Sequence, residues 1–161
     1  MTEHVHVHEI LIDRSVDDVY AYVTQPWRWH EWHPASESAS RSQGALETGV
    51  RFDEVASMKP FPMLPLRIRS QLQWTVLKTR APNMVELKGR SKLIDVHVRY
   101  EIDGVDMARF RRVFRFQVKG WLRHIEAYFL PARMHKQSVA AIFNLRRVLE
   151  AQPQQGGGAA K

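Results

Sequence analysis

Between residues 50 and 118 hydrophobic and polar positions alternate with a period of two, and beyond Pro131 the apolar positions recur at helical spacing. From Leu66 to Val76 the series Leu66, Ile68, Ser70, Leu72, Trp74, Val76 is interleaved with Arg67, Arg69, Gln71, Gln73 and Thr75, the pattern of a half-buried antiparallel strand. After an Ala81-Pro82-Asn83 turn, Val85, Leu87, Gly89, Ser91 and Leu93 alternate with Glu86, Lys88, Arg90 and Lys92. Val96, Val98, Tyr100 and Ile102 continue the pattern, Asp103-Gly104 supplies a hairpin turn, and a long strand returns from Met107 to Val118. By parity that strand presents Ala108, Phe110, Arg112, Phe114, Phe116 and Val118 inward, which puts one arginine among large apolar side chains.

The first segment, Val5 to Ile12, reads as a strand closed by Asp13-Arg14-Ser15. Ser15 is placed to cap a helix whose first turn carries Asp17 and Asp18, with Val16, Val19, Tyr20 and Val23 at helical spacing before Gln25-Pro26 ends it. The stretch P-W-R-W-H-E-W-H-P predicts a second short helix from about Trp27 to Trp32, and residues 35–49 are Ser-rich and weakly patterned. Pro131 marks a kink or restart, after which Met134, Ser138, Ala141, Ile142, Leu145, Val148 and Leu149 share one face of a helix of about five turns. These elements predict one α+β domain over residues 1–150, an antiparallel sheet of about six or seven strands curled around the long C-terminal helix. Residues 151–161 have the Gly/Gln/Ala composition of an unstructured tail.

Composition narrows the classes. With no cysteine among 161 residues, disulfides, thiolate metal sites and cysteine nucleophiles are excluded. No apolar run approaches the roughly 20 residues of a membrane-spanning helix, and the N-terminal residues lack the features of a secretory signal. A cytoplasmic location is therefore expected. The net charge of +7 is uneven: residues 1–106 hold 13 basic and 15 acidic side chains, whereas residues 107–149 hold 10 basic and only Glu126 acidic. The stripe Arg109, Arg111, Arg115, Lys119 and Arg123 reads first as solvated surface, with an anionic membrane as the alternative partner; nucleic acid is not expected.

The order of elements, the W-x-E-W-H-P segment from Trp29 to Pro34, the Gly49-Val50-Arg51-Phe52 strand start and the closing helix resemble the polyketide cyclase/dehydrase-like branch of the START-related SRPBCC (helix-grip) superfamily, over about residues 5–150. That resemblance implies a sheet gripping the last helix and, between them, a cavity for apolar or amphipathic ligands such as lipids, polyketides or aromatic compounds. Its members include carriers, sensors and some enzymes.

Such a cavity would be lined by Phe52, Ile68, Leu72, Trp74, Leu87, Tyr100, Phe114, Phe116, Met134 and Ile142; the alternative is that these residues fill a solid core. Arg112 and Glu54 are the outliers inside it, because an unpaired buried charge costs several kcal/mol. Either they pair with each other, or Arg112 binds a ligand carboxylate or enolate oxygen while Glu54 moves a proton. Ser70, Ser91, Tyr100 and Ser138 are candidate hydrogen-bonding groups for a polar ligand head. The loop Lys59–Pro65, with Phe61, Met63 and Leu64, reads either as a lid contributing Phe61 and Met63 to the site or as a loop packed on its own domain. His4, His6 and His8 share a strand face, and His30 and His33 are three apart, but no convergent carboxylate is identifiable, so no metal and no other cofactor is expected. Neither a Gly-rich nucleotide loop nor a serine-nucleophile elbow is present. Three functions follow: a ligand-binding module, a cofactor-independent cyclase or dehydratase using Glu54, Arg112 or Tyr100, and a peripheral membrane protein.

Overall fold

The structure, a computed structural model, describes residues 2–40, 45–59, 61, 63–124 and 126–154, with no side-chain description at 126–128. The expected tail beyond residue 154 lies outside the described residues. Strand β1 (Glu3–Ile12) leads into α1 (Val16–Val23), a 3-10 helix (Pro26–Glu31) and β2 (Ser36–Ala39). Strands β3 (Arg51–Met58), β4 (Ile68–Arg80), β5 (Met84–Arg90), β6 (Ile94–Asp103) and β7 (Ala108–Val118) follow, then a second 3-10 helix (Gly120–His124) and the long helix α2 (Glu126–Ala151). All strands join one antiparallel sheet in the order β1-β7-β6-β5-β4-β3-β2. The sheet curls about α2, as the amphipathic patterns require: each has one apolar face to bury and they bury it on each other.

Local chemistry explains the boundaries. The Ser15 hydroxyl accepts the Asp18 amide N–H at 3.1 Å, capping α1. Gly104, at φ +126, makes the β6–β7 hairpin, where a Cβ would lie 2.0 Å from the Met107 carbonyl oxygen. In β7 the inward set Ala108, Phe110, Arg112, Phe114, Phe116 and Val118 is fully buried, as its parity predicts.

Three elements differ from the sequence reading. Strand β2 falls in the Ser-rich stretch: its residues Ser-Glu-Ser-Ala carry no hydrophobic alternation, and it is held as an edge by pairing to β3. Helix α2 begins at Glu126 and runs through Pro131, whose place near the N-terminal end limits the loss to one early backbone hydrogen bond. Leu66 and Leu93, read as strand residues, lie outside β4 and β5.

The first half of strand β1 is inverted relative to hydrophobicity, whereas Ile10 and Ile12 at its end are buried. Val5, Val7 and Leu11 face outward and are exposed, while His4 stacks on Phe116 and His6 and His8 turn toward His135 of α2, with ring centroids 5.4 and 4.9 Å apart. The basic stripe on the outer face of β7 is answered by acidic side chains of β6: Arg109 bonds Asp103 at 2.8 Å, Arg111 bonds Glu101 at 2.8 Å, and Lys119 bonds Asp95 at 2.7 Å. Three of the five cations of the stripe thus stand in a cross-strand ladder of partly or fully exposed ion pairs, which solvent screening keeps weak.

Gly89 sits under the Trp74 indole, where a Cβ would come within 3.0–3.1 Å of three ring carbons. Gly89→Ala is expected to displace that ring and to destabilise the protein by about 1–3 kcal/mol in urea unfolding; unchanged stability would show that Trp74 has room to move.

Candidate functional site

Between the concave face of the sheet and α2 lies a cavity of about 100 Å³, several times the 10–15 Å³ or so that one water needs on the same measure. Its walls are mostly apolar, with Ile68, Leu72 and Trp74 from β4, Val96 and Val98 from β6, Phe114 and Val118 from β7, and Leu130 and Met134 from α2. Polar groups gather on one part of the wall: Arg112, His33, Tyr100, Glu54, Ser70 and Ser138.

Arg112 is only 2% exposed. Alternation of β7 turns it inward at the position cross-strand from His8 and Tyr100. Its Nη1 donates to Ser138 Oγ at 2.8 Å, its Nη2 meets His33 Nε2 at 3.1 Å, and its guanidinium carbon stands 4.5 Å from the centre of the Phe114 ring. Its Nε–H is buried with no partner. No carboxylate lies within 4.0 Å of it among the described residues; of the two alternatives read from the sequence, the ion pair with Glu54 is not formed. Burial lowers the pKa of Arg112, while the nearby Tyr100 hydroxyl and the Glu54 charge work in the opposite direction.

Glu54 is brought inward by β3 and accepts the Trp74 Nε1–H at 2.7 Å. Burial raises its carboxyl above the usual range, partly offset by the neighbouring Ser36 and Trp74 side chains and by the charge of Arg112. His33 follows the first 3-10 helix. Burial, and then the Arg112 charge, push its imidazole down to about 3, so the ring is neutral at physiological pH. Burial likewise pushes the Tyr100 hydroxyl up to about 12.

The sequence matches, over residues 4–150, the family described as "Polyketide cyclase / dehydrase and lipid transport". The chain belongs to that family. No curated protein matches it. Among solved structures it is similar to the Zhui aromatase/cyclase from Streptomyces sp. R1128, with a TM-score of 0.70 and 9% identity, covering 98% of this chain and 100% of that one. It is also similar to a START superfamily protein from Mycobacterium smegmatis, with a TM-score of 0.63 and 11% identity over 91% and 94% of the two chains. The truncated norcoclaurine synthase from Thalictrum flavum aligns with a TM-score of 0.60 and 11% identity over 94% of this chain and 96% of that one. At these identities the likeness is one of fold, the helix-grip arrangement.

Within this family member, Glu54, Ile68, Ser70, Leu72, Trp74, Tyr100, Arg112, Phe114, Met134 and Ser138 are brought together on the cavity wall. Phe52, Leu87, Phe116 and Ile142 are not; they are buried in solid core, Phe52 behind the wall against Trp74 and Trp29, and Phe116 stacked on His4. Ser91 is spent on the β5–β6 turn, where its hydroxyl accepts from the Leu93 and Ile94 amides. Met63 is 92% exposed, and the Phe61 ring packs edge-on against Phe129 at 5.6 Å; neither lines the cavity. Pro60 and Pro62 of that loop lie outside the described residues.

Trp29 and His33 line the cavity although pattern reading did not select them. The only signal for them was their place in the W-x-E-W-H-P segment. Trp29 is fixed by its Nε1–H to the Val23 carbonyl at 2.9 Å, and together with Trp32 it fills the space under the short helices. His30 is exposed while His33 points inward, so the two do not converge. Among the described residues no group of three or more His, Asp or Glu side chains is arranged to hold a metal ion, and no helix is long and apolar enough to cross a membrane.

Two outcomes follow from the electrostatics. Because burial raises the folded-state pKa of Glu54, its ionised form opposes folding; Glu54→Gln is expected to be more stable than the wild type in urea unfolding at pH 7.5, with the gain shrinking as pH falls through the raised value. His33 acts in the opposite sense. Its folded-state pKa lies below the unfolded 6.5, so its contribution is complete above pH 6.5 and is lost as pH falls toward 3. Between pH 7.5 and pH 4 the wild type should lose ~3 kcal/mol more than His33→Asn in urea unfolding; parallel curves for the two proteins would contradict a buried neutral imidazole.

Proposed function

We propose that this protein encloses a small, mostly apolar molecule bearing an anionic or enolic oxygen, held between the sheet and α2 with Arg112 as the anchor. The observation that carries this reading is the desolvated guanidinium facing a mostly apolar cavity with no carboxylate within 4.0 Å among the described residues. A cation in such a place is costly unless an anion or several acceptors meet it, and a ligand oxygen supplies what the chain itself does not. Trp29, Trp74, Tyr100 and Phe114 give the walls flat aromatic surface suited to an aromatic or polyketide-like body. Membership of a family described by both cyclisation and lipid transport supports the same ligand class.

A second reading, a cofactor-independent cyclase or dehydratase, is favoured by one observation: Glu54 shares the cavity wall with Arg112 and has a raised pKa. A carboxyl whose pKa is raised by burial is the better placed to deliver a proton to a ligand carbonyl or leaving hydroxyl, while Arg112 stabilises the developing oxyanion.

The binding reading is tested with N-phenyl-1-naphthylamine, a neutral dye that brightens in apolar cavities, alongside native mass spectrometry of the purified chain. Dye enhancement or a co-purifying small molecule is expected, and Arg112→Met should still bind the dye while losing about tenfold or more in affinity for 2-naphthoate. Absence of both dye binding and a retained molecule would remove the basis for a ligand.

A further inference from the structure

At His33, hydrogen-bond donors outnumber the acceptor that meets them. Arg112 brings five N–H groups and no acceptor; one meets Ser138 Oγ, one meets His33 Nε2, and its buried Nε–H meets nothing. His33 faces a second donor, for the Ala35 amide N–H points at its Nδ1 at 3.2 Å. A neutral imidazole has one lone pair and one N–H. It therefore cannot accept from both neighbours, and one donor is left opposing the ring's own proton.

The two sides of the ring are not equivalent. Ala35 is two residues along the same loop, and its amide is fixed by the backbone that leads into β2 at Ser36. The guanidinium stands at the end of a long side chain and can tilt. The fixed donor takes the lone pair, so Nδ1 accepts and Nε2 carries the hydrogen, directed at Arg112. Burial keeps the ring from taking a second proton that would only worsen the conflict. Glu54 does not relieve it, since that carboxylate is engaged by Trp74 and forms no ion pair with Arg112.

We infer that the His33 Nε2–H and the Arg112 Nη2–H, facing each other across 3.1 Å on the cavity wall, form a two-donor subsite for one ligand oxygen, taking carboxylates, phenolates and enolates. This inference rests on the cavity-binding reading above and adds a second donor to it. An oxygen that enters between the two nitrogens accepts both hydrogens and removes the donor–donor contact, so binding gains from a conflict already present in the free protein. Arg112 alone could hold an anion in many orientations; a second donor on a short, rigid ring fixes where the oxygen sits and hence how the attached apolar body lies against Trp29 and Trp74. Cationic and purely hydrocarbon ligands leave the conflict in place and are selected against.

The test uses the full chain with 15N-labelled histidine and two probes of nearly equal shape, 2-naphthoate and 2-methylnaphthalene. Long-range 1H–15N correlation spectra are expected to place the His33 hydrogen on Nε2 in the free protein, and 2-naphthoate, but not 2-methylnaphthalene, should shift that resonance. His33→Asn keeps an acceptor near the Nδ1 position and deletes the Nε2–H; it should weaken 2-naphthoate about tenfold and leave 2-methylnaphthalene within twofold. A hydrogen on Nδ1, or equal effects of His33→Asn on both probes, overturns the subsite. The tautomer measurement needs only the wild-type chain, so it stands even if the variant fails to fold. Dye and hydrocarbon binding without preference for 2-naphthoate overturns the subsite alone, whereas absence of all binding overturns the cavity reading and the subsite with it.

Discussion

The Arg112 guanidinium, desolvated inside an apolar interior and lacking a carboxylate, is the constraint around which the site is arranged. Its contacts come from different parts of the chain: Ser138 from α2, His33 from the segment after the first 3-10 helix, and the Tyr100 hydroxyl from β6. The neutral hydroxyls of Ser138 and Tyr100 reduce the desolvation cost without cancelling the charge, so the field of the cation persists in the cavity. That field depresses His33, works against the effect of burial on Glu54 and Tyr100, and extends to His6 and His8 on the edge strand.

The surrounding fold gives that charge a rigid mount. The guanidinium projects from a central position of β7, which pairs along its length with β1 and β6. Trp29 and Trp74, on the cavity wall, pack with Phe52 behind them as an aromatic group with ring centroids 5.5–6.2 Å apart, and the Trp74 indole N–H holds Glu54. The cavity is thus bounded by packed aromatic rings and β-ladders, which suits a site where orientation matters more than adaptability.

The helix-grip fold is shared with proteins only 9–11% identical to this one. What such a fold requires is alternation of inward and outward residues and a closing amphipathic helix, since these decide which surfaces must be buried. The polar residues of the cavity are under no such requirement. An arginine, a histidine and a glutamate in the interior cost stability rather than confer it, which is why they are informative about ligands and uninformative about fold.

Much of the architecture was legible along the chain. Period-two alternation identified β3 to β7, Ser15 and the two aspartates after it located α1, and the inward parity of Phe110, Arg112 and Phe114 placed the buried arginine. Those features are local, because side-chain direction follows from backbone geometry over a few residues. Strand β2 was not legible, since an edge strand of Ser, Glu and Ala owes its form to its partner. Nor could the chain alone distinguish Phe114 on the cavity wall from Phe116 in solid core, two residues along the same face. Whether an inward side chain meets another atom or open space depends on how far the sheet curves from α2, a property of the whole assembly. The pairing of Arg112 was of the same kind: sequence determined that a cation would be buried, but only the tertiary structure decided that His33 and Ser138, rather than Glu54, would stand beside it, because those neighbours lie 79 and 26 residues away along the chain.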